Sequence, residues 1–287
     1  GVGVFRISLS DIEIEISSPR IESFSSSKTH KNFQPKFDSR LSYLESFKRR
    51  DLRINAIGIA FSVDDGALTL SEVDPYLGIQ DIADKSIRYI SNDFFKDPVR
   101  LLRAIRFSIN TGFELLDDNG FSNFNLSDLT AHYLKYESKK CCDVVMFLSK
   151  LIELVNRYQI PLAQGLEGVK AFSNRSLLNE VSTIEELLLF DLGIVDKSVY
   201  EYVSIRKSSF QKILSLKLAL LELERCQDDE TRLKFIKELA RQEGREQFIF
   251  HELWLEVGQE LKLVRSREEK ELLLKSISRS FRHSLPK

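Results

Sequence analysis

Three stretches of the chain set ionisable residues at spacings that can do chemistry. In "KRRDLRINAIGIAF" (48–61), Arg49, Arg50 and Asp51 stand where a short helix is expected to end and an apolar strand to begin. Strand ends are frequent places for ligand groups. Two adjacent guanidinium groups can neutralise a triphosphate. Asp51 can accept from ribose hydroxyls, and Asn55 can reach a sugar or bond the backbone. The plainer reading is a surface ion-pair cluster followed by a core strand. In "FFKDPVRLLRAIRFSINTGF" (94–113), Asp97 and Pro98 have the form of a helix start, an acid at the N-cap and proline at the first helical position. Arg100, Arg103 and Arg106 follow at three-residue intervals. Asp97 and Arg100 together offer acceptors and donors, a set that can read a base edge as another base would. An ordinary cap followed by a solvated basic stripe has the same pattern. In "DIEIEISSPR" (11–20), Asp11, Glu13 and Glu15 share one face of an extended chain and Ile12, Ile14 and Ile16 the other. That is a half-buried strand with a wet face, unless a cation draws the three acids together.

The elements that must position these residues fall into a strand-rich start and a helical remainder. "GVGVFRISLSDIEIEISS" reads as a hairpin turning near 8–11. Residues 21–39 lack periodicity and read as a mobile loop. A short helix over 41–50 leads into "LRINAIGIAF", a buried strand, then a turn at "DDG" and a short strand "LTLSEVDP". "VDPYLGIQDIADKSIRYI" (73–90) reads as a connector: Asp74, Pro75 and Gly78 mark a restricted turn, and Asp81 and Arg88 flank an amphipathic stretch. From about 92 onward apolar spacing of three and four predicts helices, the later ones at about 177–190, 198–206, 208–226, 229–243, 245–263 and 267–281. No internal repeat is present.

Bulk properties exclude several classes. The 287 residues are 43% hydrophobic and 30% charged, a globular balance. A net charge of −1 offers no global basic field, so any phosphate contact must be local. Three cysteines and four scattered histidines supply neither a disulfide framework nor a zinc site, and point to a reducing compartment. No apolar run is long enough for a membrane span. The chain opens at Gly1 inside a strand, with Met146 its one methionine, which suggests that an N-terminal part is missing.

"RRDLRINAI", "DPYLGIQDI" with a later "IR", and "DPVRLLRAIRF", in this order, resemble the class II tRNA nucleotidyltransferase and poly(A) polymerase family. The resemblance is strong over 1–115 and general in character beyond. It implies an α+β fold: a polymerase-β-like head of mixed strands, truncated here, and then an all-helical neck, body and tail. The expected division is 1–72 for the partial head, 73–90 for a hinge, 91–165 for a neck with the base-reading motif, and 166–287 for an RNA-binding body and tail. The implied reaction is nucleotide addition to an RNA 3′ end, with CCA added to tRNA from CTP and ATP. Poly(A) addition is the alternative within the family, and a non-catalytic nucleotide- or RNA-binding remnant the alternative outside it. The compartment expected is the cytoplasm, with no membrane partner.

The resemblance also assigns residues. "IEISSPR" matches the strand that supplies the third catalytic carboxylate, which makes Glu15 that metal-binding group and Arg20 its companion; Asp11 and Glu13 return to a wet strand face. Arg49, Arg50, Asp51 and Asn55 should line triphosphate and ribose. Asp97, Arg100 and Arg103 should face the base, with Arg106 on the same stripe. Magnesium is implied, but the other two carboxylates belong to an upstream DxD that this sequence lacks. Two-metal transfer needs several carboxylates at close range, so this chain is expected not to catalyse. Three positions depart from the family pattern: Lys96 stands for Glu, Leu77 for the first of two glycines, and Arg53 for Thr. No HD phosphohydrolase motif is present.

Overall fold

A computed structural model describes residues 4–24, 33–172, 183–191 and 194–205, with scattered positions between 222 and 234. They divide into two units. The first holds residues up to 129 with 140–142 and 153–162; the second holds 130–139, 143–152 and the chain from 163. The fold is α+β, as expected.

The first unit begins with three antiparallel hairpins. β1 (Val4–Leu9) and β2 (Ile12–Ser17) turn at Ser10, whose φ is 53°. Their register sets Phe5 opposite Ile16, Ile7 opposite Ile14 and Leu9 opposite Ile12, so one face is wholly apolar. Arg6 opposite Glu15 and Ser8 opposite Glu13 occupy the other. The alternation was legible, but the half-burial expected from it is not found: Ile12 is 64% exposed and Phe5 70%.

The loop expected over 21–39 is corrected at both ends. β3 (Arg20–Phe24) pairs with β4 (Phe33–Phe37), with Pro35 opposite Glu22. A two-stranded ladder is all edge, so a proline without an N–H is tolerated there. Residues 25–32 lie outside the described residues. The helix expected over 41–50 is α1 (Tyr43–Phe47), which starts with a reciprocal cap: the Glu45 N–H donates to Ser42 Oγ and the Ser42 N–H to the Glu45 carboxylate.

"LRINAIGIAF" does not form one buried strand. A 3-10 turn occupies Arg53–Asn55, and β5 (Gly58–Asp64) starts only after it. The reason is local. Asp51 accepts from the Leu52 N–H at 2.9 Å and the Asn55 amide at 3.1 Å, closing the chain on itself where a strand would need it extended. β5 pairs with β6 (Ala67–Val73) through a turn with positive φ at Asp65 and Gly66, the geometry that follows hairpin twist. Ile59 and Phe61, from the stretch expected to be buried, stand exposed, as do Val63, Leu68 and Leu70 along the same hairpin.

The connector contains α2 (Gly78–Ala83). β7 (Ser86–Ile87) pairs in parallel with β8 (Glu114–Leu115), a two-residue contact too short to leave a pattern in sequence. Between them lies α3 (Pro98–Thr111), capped by Asp97 with Pro98 at its first position, as predicted. Leu101, Leu102, Ala104 and Ile105 are fully buried. Phe94, Phe95, Phe121, Phe124 and Tyr89 pack edge-to-face and stacked, with centroids from 4.9 Å to 6.5 Å, and fix the turn before α3.

The second unit is helical. It includes α4 (Ala131–Lys139), the first part of α5 (Val144–Tyr158), a 3-10 stretch Gln164–Ala171, α6 (Ile184–Phe190) and α7 (Lys197–Tyr202). Phe147, Leu166, Leu187, Leu188, Val199 and Tyr200 are buried in it. α6 and α7 meet the predictions at 177–190 and 198–206 in part. The helices predicted at 245–263 and 267–281, and nearly all of those at 208–226 and 229–243, lie outside the described residues. Among the described residues no helix is long and apolar enough to cross a membrane.

Candidate functional site

The site is built from the turn at 49–55 and the start of α3. The turn is pinned from one side by the chain after β7: the Arg53 N–H donates to the Arg88 carbonyl at 3.0 Å, and the Ile90 N–H to the Asp51 carbonyl at 3.3 Å. From the other side it is pinned by arginines of α3. Arg103 Nε bonds Asp51 Oδ2, while Oδ1 takes the Leu52 N–H and the Asn55 amide. Asp51 is only 8% exposed. Burial pushes its carboxyl up, but the charge and hydrogen bond of Arg103, with Asn55 and the Leu52 N–H, outweigh that and hold it below the ordinary carboxylate value.

Arg100, one turn earlier on α3, is 7% exposed. Its Nη2 donates to the Arg49 carbonyl at 2.9 Å and its Nη1 to the Asp93 carbonyl at 3.2 Å. Its Nε lies 4.0 Å from Asp97 Oδ2. Asp97 Oδ1 meanwhile accepts from the Val99 N–H at 2.9 Å. Arg50 is exposed; its Nη1 donates to the Asn55 carbonyl at 2.5 Å and its guanidinium lies 5.0 Å over the Phe47 ring. Arg106 sits one turn beyond Arg103, 4.4 Å over Phe107.

The structure therefore brings Arg49, Arg50, Asp51, Asn55, Asp97, Arg100 and Arg103 into one connected set, with Arg106 on its edge. Two of them face inward more than the sequence reading allows. The Asp51 carboxylate expected for ribose is occupied by the protein, and the Arg100 guanidinium expected at a base edge holds backbone carbonyls. Glu15 and Arg20 make none of the hydrogen bonds described above. Glu15 lies on the exposed face of β2, 2.8 Å from Arg6, and Arg20 begins β3.

The connector touches the same turn. Asp74 accepts from the Gly78 N–H at 2.7 Å and the Ile79 N–H at 2.9 Å, capping α2. A Cβ on Gly78 would stand 2.3 Å from the Arg53 carbonyl oxygen. Leu77, in the place of the family's first glycine, has a φ of 61°. Arg88 pairs with buried Asp81, which ties α2 to the chain after β7.

The described residues do not fit a magnesium site. Glu15 has Arg6 against it and Glu13 beside it, with Arg6 3.9 Å from Glu13, and no three metal-ligating side chains gather among the described residues. Magnesium prefers near-octahedral oxygen ligands, which this cation-paired strand face does not present. Sequence reading missed one feature: a cleft of about 620 Å³ in the first unit, where Asn92, Lys96, Asn123 and Asn125 surround the edges of Phe95 and Phe124. Its amides are scattered over two turns, and no spacing in the sequence marks them as neighbours.

Solved structures place the fold. The chain aligns along its whole length with an apo form of a CCA-adding enzyme, covering 72% of that chain at a TM-score of 0.54 and 16% identity. A CCA-adding enzyme in complex with ATP aligns at a TM-score of 0.55 and 16% identity, over 96% of this chain and 64% of that one. The fold is thus that of CCA-adding enzymes.

Sequence relatives carry the likeness further. A "Multifunctional CCA protein" of Dechloromonas aromatica is 33% identical over 144 residues, half of this chain and 29% of that protein. The "A-adding tRNA nucleotidyltransferase" of Aquifex aeolicus is 31% identical over 135 residues, 46% of this chain and 14% of that protein. No family model matches. The resemblance drawn from the three motifs is met again here: over up to half of its length the chain is similar to proteins named for CCA and A addition, which are enzymes. Its matches span less than a third of these relatives' own lengths.

Proposed function

We propose that the protein acts in RNA 3′-end nucleotide addition, and specifically in adding CCA to tRNA from CTP and ATP. The observation that carries this is the joining of three ordered motifs around Asp51, in a chain related to proteins named for CCA and A addition. In the reaction the terminal 3′ hydroxyl attacks the α-phosphorus of CTP or ATP. The P–O bond to the β-phosphate breaks, pyrophosphate leaves, and the hydroxyl proton is lost to solvent or a base. Exposed Arg50 and neighbouring Arg49 supply positive charge for the triphosphate, with Asn55 toward the ribose. Asp97 and Arg100, at the start of α3, are the pair to read the base, for which the Arg100 guanidinium would exchange its Arg49 and Asp93 carbonyls for the base edge. Residues 73–90 serve as the hinge, 91–165 as the neck and 166–287 as the RNA-holding body. Magnesium, which the reaction class uses, would need acids beyond the described residues. A tRNA substrate and three free cysteines suit the cytoplasm.

The test incubates the full-length protein with tRNA that ends before its 3′ CCA, giving CTP and ATP singly and together. Ordered addition of C, C and A is the result expected where the further acids that magnesium needs are supplied, and nucleotide binding without extension where they are not. A run of A on any RNA end would indicate a poly(A) polymerase instead. Failure to bind CTP, ATP and tRNA would refute the proposal. A second reading, a binding protein without transfer, is favoured by the cation-paired setting of Glu15. It predicts nucleotide binding with no extension.

A further inference from the structure

Arg103 carries the connection between α3 and the exposed arginine of the turn. Its ion pair with Asp51 spans 52 positions in sequence. Asp51 in turn holds the Asn55 amide at 3.1 Å, and the Asn55 carbonyl accepts from Arg50 Nη1 at 2.5 Å. The chain of contacts thus runs from α3 through a buried carboxylate to the exposed guanidinium. Arg100, three residues earlier on the same face of α3, makes a second tie to the Arg49 carbonyl at 2.9 Å. The backbone bonds to Arg88 and Ile90 hold the turn on one side. These two side-chain ties, one turn of helix apart, hold its other side against α3.

We propose that Arg103 is a positioning residue that clasps the 49–55 turn to α3 through Asp51, and so sets the spacing between the phosphate-facing Arg50 and the base-facing start of the helix. The clasp is a property of the fold; what it positions rests on the function proposed above. Half-exposed on its helix, Arg103 has its Nε directed into the protein, onto Asp51. Removing it leaves a buried carboxylate without its cation, a loss relieved by opening the turn toward water or by taking up a proton, and either change weakens the hold of Asp51 on the turn. A base contact would be selective, since CTP and ATP present different edges. A positioning group acts on both nucleotides alike.

The experiment compares Arg103→Met, Arg103→Lys and the double variant Asp51→Asn/Arg103→Met in the full-length protein. It reads amide hydrogen exchange over 52–56 and affinities for CTP and ATP. Arg103→Met should speed exchange by about tenfold or more and weaken both nucleotides by a common factor of about ten. Arg103→Lys, which keeps the cation, should recover part of both. The double variant should be no worse than Arg103→Met alone, because both act through one contact. A changed CTP-to-ATP ratio would make Arg103 a base contact and overturn the proposal. Unchanged exchange would show there is no clasp, and faster exchange with unchanged affinity would show that the clasp positions nothing. If the unaltered protein bound neither nucleotide, the proposed function would fail and the nucleotide half of this proposal with it, while exchange would still decide the clasp.

Discussion

Gly78→Ala should destabilise the first unit and loosen the candidate site in one step. The added Cβ would lie 2.3 Å from the Arg53 carbonyl oxygen, 2.8 Å from its carbon and 2.9 Å from Ile57 Cγ1. Relief requires a shift of about 1 Å, since ordinary contact begins at about 3.4 Å. The Arg53 backbone cannot yield cheaply, because its N–H is bound to Arg88 and its carbonyl closes the turn onto Ala56. If α2 yields instead, the two Asp74 capping bonds stretch. Overpacking costs about 1–3 kcal/mol, and a weakened cap about 1 kcal/mol more, so a total of roughly 2–4 kcal/mol is expected. Urea unfolding followed by circular dichroism measures it. Gly66→Ala is the control, for its Cβ meets nothing within 4 Å and carries only the cost of a φ of +80°. That cost is about 1–2 kcal/mol. Because the displaced turn contains Asn55, Gly78→Ala should also weaken CTP and ATP equally, and Gly66→Ala should weaken neither. A loss for Gly78→Ala within about 0.5 kcal/mol of zero, the scatter of harmless substitutions, would refute the account of this contact.

Leu77→Gly should stabilise the protein by about 0.5–1 kcal/mol, since a left-handed leucine costs about 1–2 kcal/mol and glycine returns part of that as chain entropy; Leu77 is 62% exposed, so little burial is lost, and the same urea assay reads the gain. Asp51→Asn should cost more at pH 6 than at pH 3. The folded-state carboxyl is held below 3.8, so its stabilisation is present above that value and fades as pH falls through the folded-state value, and unfolding at the two pH values tests the sign. Arg50→Ala should weaken CTP and ATP by one factor in a binding titration, because phosphate contacts carry no base information. Tyr200→Phe should cost about 1 kcal/mol in thermal unfolding, as its buried hydroxyl, whose single proton lies between the carbonyls of Ile194 at 2.6 Å and Leu188 at 3.0 Å, is lost as a donor.

Local rules were enough for the elements whose causes are local. Asp97 and Pro98 start α3 because an acid accepts the free N–H groups of a first turn and proline fits there, and both facts are visible in two letters of sequence. The β1–β2 hairpin follows from strict alternation, and the order of the three motifs named the fold before any coordinate. Tertiary structure decided what alternation cannot express, namely what covers a face. The isoleucines of β2 and the apolar side chains at the start of β5 read as buried and stand exposed, because periodicity records which side a residue takes and not what lies against it. Asn55 was expected in a strand, yet Asp51 draws it into a turn; that competition depends on Arg103, 52 positions away, holding the carboxylate in place. The roles of the charged residues were settled in the same way. Residue type made Asp51, Arg100 and Arg103 candidates for touching a ligand, and only their burial and partners show that each is already bound within the protein, leaving Arg50 as the exposed cation of the turn.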